Sequence, residues 1–315
     1  MTTAAEPRPA ELPLPGGKER ATVRLHPLLA GRALAPAAAL LRESGRLAWR
    51  RALGLGVGKD AWMPIPIQAF LVEHPGAGLV LIDSGLHPSV AVKPSENFGR
   101  VTLLAFRDLQ MDAGQALPAQ LRERGLDPSA VKTVVMTHLH VDHASGISEF
   151  PGATFLVSRA EWDAAADQGP THGYVTRQFD HAFDYRLLDF EGAVREGAGS
   201  ARTGATASLV VSFSGFARSF DVFGDGSVRV VYTPGHTLGH MSVVLRTARG
   251  EVLVAGDAMY LRRTLDDTHL PYRMEDEHVF RRSLREIRRY ADETPDALII
   301  PGHDWEAWQE LDAVY

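Results

Sequence analysis

The sequence predicts an α/β fold, because short apolar strands alternate along the chain with segments of helical periodicity. Residues 131–136 and 252–256 are apolar, β-branched runs of the length expected for buried strands. Residues 277–287 instead carry apolar side chains at helical spacing, and Asp276 precedes them as a candidate N-cap. Several predicted strands also end in histidine or aspartate. These observations indicate a sandwich of sheets with polar strand ends along one edge.

The composition excludes several classes of function. The net charge of -6 argues against a nucleic-acid partner, which would require a basic surface. No apolar run approaches the ~20 residues of a membrane span, so we expect a cytoplasmic protein without stable membrane insertion. The chain has no cysteine, and any metal must therefore be held by histidine, aspartate or glutamate.

The sequence predicts a tail followed by one large domain. Residues 1–20 contain four prolines and few large apolar groups, which predicts a disordered tail. Residues 21–315 then form a single domain with an N-terminal helical extension over residues 37–53. This extension is arginine-rich and suits either a membrane surface or, as we favour, a packed helix with a solvated face. A glycine- and alanine-rich insertion near residues 191–218 is expected to be flexible and able to lie over a site.

The segment T-H-L-H-V-D-H, residues 137–143, follows the strand predicted at residues 131–136. It places His138, His140, Asp142 and His143 at the end of a buried strand, where a scaffold presents chemical groups. In an extended segment, His138 and His140 point to the same side, because side chains repeat with a period of two. These two imidazoles can hold one divalent ion, and Asp142 and His143 can hold another.

The predicted strands at residues 78–82 and 228–232 lead likewise into Asp83 and His236, and later strands lead into Asp257 and His303. This recurrence suggests that all of these strand ends meet at one edge of the sandwich. Asp83 is either a turn former or a group that orients the ligand loop. His172 and His181 lack a partner at ligand spacing and are expected to be surface or structural residues. The first predicted site comprises His138, His140 and His236; the second comprises Asp142, His143 and His303; Asp257 bridges both. A bridged pair of ions about 3.5–4 Å apart can generate hydroxide from water and polarise an ester-like carbonyl group.

The segments I-D-S-G, T-H-L-H-V-D-H, T-P-G-H, A-G-D and P-G-H-D resemble those of the metallo-β-lactamase superfamily, across about residues 60–310. The resemblance implies an αβ/βα four-layer sandwich with its metals along one edge. True metallo-β-lactamases commonly use a cysteine ligand or lack the histidine that corresponds to His143, which counts against a lactamase. The oxygen-reducing diiron branch has an acidic residue in the place of His140, which counts against that activity.

Within this superfamily the chain looks most like the N-acyl homoserine lactonases. The supporting segments are residues 65–71, ahead of I-D-S-G, and residues 257–260, Asp-Ala-Met-Tyr. The resemblance implies that Tyr260 points at the substrate carbonyl group, unless it is only a core aromatic residue. It also implies structural roles for His240 and Asp304.

The mechanism that this resemblance implies is hydrolysis of a lactone ring by a hydroxide that bridges two divalent metal ions. Tyr260 would polarise the carbonyl group, and Asp142 would deliver a proton to the leaving alkoxide. Zinc is the expected metal, with iron, cobalt and manganese as alternatives. The expected partner is a small-molecule lactone, and a homodimer is left open.

Other functions share these ligands. A glyoxalase-II-like thioesterase or a phosphodiesterase would use the same metal pair, and a panel of substrates would separate them. A persulfide dioxygenase would instead hold one iron and consume oxygen. A domain that keeps its metals only for stability and binds a partner through the arginine-rich helix is the non-enzymatic alternative.

Overall fold

Two β-sheets face each other in the computed structural model, which describes residues 4–103, 106–191, 210–267 and 269–315. The strands are β1 (Arg8–Pro9), β2 (Arg24–Pro36), β3 (Trp62–His74), β4 (Gly78–Ile82), β5 (Arg107–Gln110), β6 (Val131–Val135), β7 (Thr154–Ser158), β8 (Asp184–Leu188), β9 (Val211–Phe213), β10 (Phe216–Asp221), β11 (Val228–Tyr232), β12 (Met241–Thr247), β13 (Gly250–Gly256) and β14 (Leu298–Pro301). The helices are α1 (Ala37–Leu40), α2 (Ala48–Ala52), α3 (Pro94–Phe98), α4 (Arg100–Leu103), α5 (Leu117–Glu123), α6 (Val141–Ala144), α7 (Arg159–Asp167), α8 (Arg263–Asp267), α9 (Glu277–Glu293) and α10 (Trp305–Gln309).

The pairing of the strands aligns their carboxyl ends. The first sheet has the order β1-β8-β7-β6-β4-β3-β2-β5, and the second has the order β14-β13-β12-β11-β10-β9. In the first sheet β4 and β6 are parallel. In the second sheet β11 and β13 are both antiparallel to β12, and β14 is parallel to β13. The strands β11, β13 and β14 therefore end at the same edge of the second sheet.

Three apolar cores separate four layers of structure. Alternate residues of a strand face opposite sides, so Val134 joins helices α5 and α6 in one core while Val135 faces the second sheet. On the second sheet Val230 faces the first sheet, and Val231 packs with Phe280 of α9. The observed order of layers is helix, sheet, sheet and helix, which confirms the predicted αβ/βα sandwich.

The long outer helix α9 begins where the sequence predicts. Asp276 caps α9 by accepting a hydrogen bond from the Val279 N–H at 2.9 Å, and the carboxyl group of Asp304 caps α10. Helix α9 buries Phe280, Ile287 and their apolar neighbours against the second sheet and leaves its charged side chains in solvent. Within the described part of the chain, no helix is both long enough and apolar enough to cross a bilayer.

The predicted strands that lead to the polar residues are present. Residues 78–82 and 228–232 form β4 and β11 with the predicted bounds. Residues 131–136 form β6 with one residue fewer, and residues 252–256 form most of β13. These strands could be predicted because each is a short apolar run bounded by turn residues.

The proline-rich segment differs from the disordered tail predicted for it. From residue 4 onward it lies against both sheets: β1 pairs with β8, and the Leu14 N–H donates to the Val222 carbonyl oxygen at 2.7 Å. Ala5 and Leu14 are buried. Four prolines remove backbone donors but do not prevent the intervening residues from pairing with sheet edges.

Two other boundaries differ from the prediction. The helix predicted over residues 37–53 is divided into α1 and α2, because the chain between them includes Gly45 at a φ of 113°. Of the insertion predicted near 191–218, residues 192–209 lie outside the described residues. The part from residue 210 onward belongs to the second sheet as β9 and β10, with Phe216 buried against α9. The expected lid is therefore restricted to residues that the structure does not describe.

The loop after β11 packs directly on the start of α9. Gly235 has a φ of 129°, and a Cβ atom at this position would lie 2.3 Å from the backbone nitrogen of Phe280. This spacing leaves no room for a side chain, and the conformation is itself unfavourable for other residues. Gly235 thus fixes how closely the loop before His236 approaches the helix.

Gly235→Ala is expected to destabilise the protein by about 2–5 kcal/mol, from backbone strain and overpacking combined. Gly250→Ala is the matched control, since Gly250 has a similar φ of 123° while its nearest neighbour would lie 3.9 Å away. The measurement is urea-induced unfolding of both variants. Equal losses of stability would show that contact with α9 does not restrict residue 235.

Candidate metal centre

Side chains from both sheets meet at one edge of the sandwich. Among the described residues, three groups have ligand atoms that all lie within 4.8 Å of one another: His138, His140 and His236; His138, His143 and Asp257; and Asp142, His143 and His303. The structure thus brings together all seven residues that the sequence predicted to hold metal. We call the first group the three-histidine cluster and the last group the aspartate cluster.

The loop after β6 supplies the first four of these residues. His138 and His140 lie side by side, with ring centroids 4.6 Å apart, as expected for alternate residues. The chain then turns into helix α6, which carries Asp142 and His143 to the other side of the site. One short segment therefore contributes to both clusters.

Asp83 holds this loop in place. Its φ is 59°, and its buried carboxylate accepts hydrogen bonds from the Thr137 N–H at 2.7 Å and from the His143 ring, whose Nδ1 lies 2.8 Å away. With Nδ1 donating to Asp83, the Nε2 atom of His143 is left to face Asp142 and Asp257. This geometry agrees with the orienting role considered for Asp83 and not with a simple turn.

The T-P-G-H segment after β11 supplies the third histidine of the three-histidine cluster. His236 Nε2 lies 2.9 Å from His140 Nδ1 and 3.2 Å from Asp257 Oδ2. His240 lies behind it, where its Nε2 accepts a hydrogen bond from the Asp257 N–H at 3.0 Å. His240 therefore positions the backbone of Asp257, consistent with the structural role expected for it.

Asp257 contacts both clusters from the end of β13. Its Oδ2 lies 3.2 Å from His303 Nε2 and 3.2 Å from His236 Nε2, and its Oδ1 lies 3.5 Å from His143 Nε2. Tyr260 stands three residues further on, with its ring edge-on to those of His236 and His303. Its hydroxyl oxygen lies 3.1 Å from His236 Nδ1, so the hydroxyl group is at the site, while the side chain also packs against the apolar cluster that includes Leu261.

The chemistry of these donor atoms fits divalent metal ions. His138 Nε2, His143 Nε2 and Asp257 Oδ1 are buried and have no hydrogen-bond partner among the described residues, and such groups are costly unless something binds them. Burial lowers the pKa of His138 and of His140 well below the usual value, and the pKa of His236 to about 4. Neutral imidazoles keep the lone pair that a metal requires.

The carboxylates add negative charge that a cation would balance. Although burial by itself raises the pKa of Asp257, the imidazoles of His303 and His236 hold that pKa well below its usual range. Burial lowers the pKa of His143, but the carboxylates of Asp142 and Asp83 outweigh it and raise this pKa well above its usual value. Nitrogen and carboxylate donors without thiolates suit zinc, iron, cobalt or manganese.

A cavity of 390 Å³ opens beside the three-histidine cluster. Its lining residues are His140, Gln168, His172, His236, Leu238, Arg273, Met274 and Glu275. His172, expected to be a surface or structural residue, joins no metal-competent group but lies on this cavity. Arg273 was not singled out from the sequence, because an arginine in a polar connection carries no local signal of function.

Glu161 was also missed by the sequence analysis. It is 0% exposed in the first turn of α7, and burial raises its pKa to about 7, against the hydrogen bonds that it accepts from Thr237 and Leu139. The sequence around it, S-R-A-E from Ser158, reads as an ordinary helix start. A buried carboxylate beside two ligand loops is visible only in the folded chain.

Comparisons with known proteins agree with this geometry. The N-acyl homoserine lactonase AttM of Agrobacterium fabrum is 32% identical over 255 residues, which cover 80% of this chain and 86% of that protein. The N-acyl homoserine lactonase of Bacillus cereus is 25% identical over 245 residues, which cover 77% and 82%. A solved structure of an N-acyl homoserine lactone hydrolase, with N-hexanoyl-L-homoserine bound at the catalytic metal center, matches with a TM-score of 0.71 at 21% identity, over 92% of this chain and 97% of that one.

The structural match, at that identity, shows a shared fold. The relationship to AttM shows common family membership as well, because the 32% identity extends across most of both chains. The family model described as the metallo-beta-lactamase superfamily matches residues 62–303, the span that carries all seven metal-competent residues. The resemblance expected from the sequence is confirmed, and the chain belongs to the metallo-beta-lactamase superfamily.

Proposed function

We propose that this protein is a metal-dependent hydrolase that opens the lactone ring of N-acyl homoserine lactones. The observation that carries the proposal is the pair of ligand clusters joined by Asp257, with the hydroxyl group of Tyr260 beside them. The relationship to AttM, an N-acyl homoserine lactonase, supports the choice of substrate.

The proposed ligands follow from the two clusters. The three-histidine cluster would hold one divalent ion and the aspartate cluster a second, with Asp257 shared between them. Zinc is the metal that we propose, and iron, cobalt or manganese suit the same donors. When bound, such ions lower the pKa of water to supply hydroxide and polarise an ester carbonyl group.

The protein's own side chains serve the remaining steps. Burial and the carboxylates of Asp257 and Asp142 raise the pKa of Tyr260 well above its usual value, so its hydroxyl group stays protonated and can donate to the carbonyl oxygen. As the ester C–O bond breaks, the leaving alkoxide needs a proton. Asp142 lies at the site, where its carboxyl group would pass to the alkoxide the proton that the newly formed carboxylic acid releases.

The cavity beside the three-histidine cluster fits an acylated lactone ring. Leu238 and Met274 offer apolar surface, while Arg273 and Glu275 offer a charged donor and an acceptor for an amide group. A lactone with an acyl-amide substituent presents each of these chemical features.

Metal content and substrate choice test this proposal together. The purified protein is expected to carry about two transition-metal ions per chain and to hydrolyse short- and long-chain acyl homoserine lactones faster than thioesters or phosphodiesters. Chelation should abolish the activity and zinc should restore it, because the proposed metal ions would lower the pKa of the attacking water. Elemental analysis and a substrate panel provide the measurements. A single iron with oxygen consumption, or faster thioester hydrolysis, would contradict the proposal.

Tyr260→Phe tests the proposed donor. Loss of one donor to a developing oxyanion typically lowers turnover by about 10²–10³-fold, and we expect the low end of that range or somewhat less, because metal shares the charge. Metal content and melting temperature should remain near those of the wild type, since no ligand is lost.

The control for this substitution is Tyr290→Phe, which removes a hydroxyl group that donates to Glu251 at 2.8 Å, away from the metal-competent residues. It should lower stability slightly and leave kcat unchanged. Wild-type turnover by Tyr260→Phe, with its metals intact, would show that Tyr260 has no part in the reaction.

A further inference from the structure

Glu161 has a hydrogen-bonding arrangement that its place in the sequence does not predict. It stands three residues after Ser158, the N-cap of α7, where a glutamate usually bonds back to the start of its own helix. Its carboxylate is turned instead to two other segments. Oε1 accepts a hydrogen bond from the Leu139 N–H at 2.8 Å, and Oε2 accepts one from the Thr237 hydroxyl group at 2.5 Å.

Both donors adjoin the three-histidine cluster. Leu139 lies between His138 and His140, and Thr237 directly follows His236. Each oxygen of Glu161 therefore holds one of the two loops that form this cluster. The loop after His236 also packs closely on α7, because a Cβ atom at Gly239 would lie 2.0 Å from the Glu161 nitrogen.

The aspartate cluster depends on a different buried carboxylate. Asp83 bonds directly to His143, and it reaches the other cluster only through Thr137, whose hydroxyl oxygen lies 3.1 Å from His138 Nδ1. His140 and His236 belong to the three-histidine cluster alone. The segments that carry these two histidines are the ones that Glu161 joins.

We propose that Glu161 is a positioning residue for the three-histidine cluster. Its loss would weaken the binding of the metal ion at that cluster and leave the binding of the other ion unchanged. The inference rests on the metal ligands assigned under the proposed function and is independent of the lactone substrate. A buried carboxylate is costly unless its hydrogen bonds are satisfied, and here both partners belong to ligand loops. Helix α7 itself begins with Ser158 and does not require this carboxylate as a cap.

Three variants separate positioning from general stability. Glu161→Ala removes both acceptors and leaves the buried Leu139 N–H without its partner. Glu161→Gln keeps one oxygen for Leu139, and its amide N–H can donate to the Thr237 hydroxyl group, so it should restore most of the binding. Thr237→Val removes only the contact next to His236 at nearly constant volume.

The matched control is Ser158→Ala, which removes the N-cap of the same helix while leaving both contacts of Glu161 with the ligand loops. It should lower the melting temperature without a selective effect on either ion. Any general weakening of α7 is common to this control and to Glu161→Ala. A greater loss of metal affinity in Glu161→Ala than in Ser158→Ala therefore measures the effect of the contacts between Glu161 and the ligand loops.

The experiment measures cobalt and zinc binding to the full-length protein in chelator-buffered solutions, with ions per chain and the visible cobalt spectrum as readouts. Loss of a group that orients metal ligands typically lowers affinity by about 10–100-fold. We therefore expect Glu161→Ala to lose about this factor for one ion and to retain wild-type affinity for the other. Thr237→Val should lower the affinity for the same ion by about 10-fold, and Glu161→Gln should bind both ions about as tightly as the wild type.

Equal weakening of both ions, or a loss in Ser158→Ala that matches Glu161→Ala, would overturn the inference. If Glu161→Ala does not fold, metal binding by Thr237→Val tests the inference instead. Unchanged binding of both ions by Thr237→Val would also overturn the inference. Binding that behaves as expected without lactone hydrolysis would contradict only the proposed substrate. A wild type that binds a single ion would contradict the ligand assignment and this inference with it.

Discussion

The buried carboxylate of Asp257 is the constraint on which the rest of the site depends. It is 3% exposed and lies between His143, from the first sheet, and His236 and His303, from the second. A carboxylate at this depth is costly unless it is paired and hydrogen-bonded. The strand ends must therefore deliver partners to within a few ångströms of it, and the neutral histidines and the ions that they suit complete that environment.

The edge of a two-sheet sandwich meets this requirement because several strands of each sheet end there. The ends alone are not sufficient, since loops are the mobile part of a scaffold. Three buried groups hold them: Asp83 on the loop after β6, His240 beneath Asp257, and Glu161 between the two loops of the three-histidine cluster. Each accepts a hydrogen bond from a backbone N–H of a segment that carries metal-competent residues, and Asp83 also bonds the ring of His143. These bonds hold the segments in position from the side away from the centre.

Local patterns were enough to predict the metal-competent residues, because each follows a short apolar strand and strand periodicity is a local property. Glu161 could not be found in this way: S-R-A-E is a complete helix start, and its real partners lie 22 and 76 residues away. The prediction of a disordered N-terminal tail was wrong for a related reason. Its proline content predicts disorder, whereas its pairing depends on strand β8, which begins only at Asp184 and which composition cannot reveal.

Several residues that line the cavity beside the three-histidine cluster lie outside the strands of the sandwich. Arg273 and Glu275 lie in the connection between α8 and α9, and Gln168 follows α7, so none of them belongs to a strand of the sandwich. These connections can change without moving a strand end, and the metal-competent edge can then serve another substrate. The metal-competent edge accordingly suits hydrolysis, whereas the proposed preference for an acylated lactone would depend on the few side chains around one cavity.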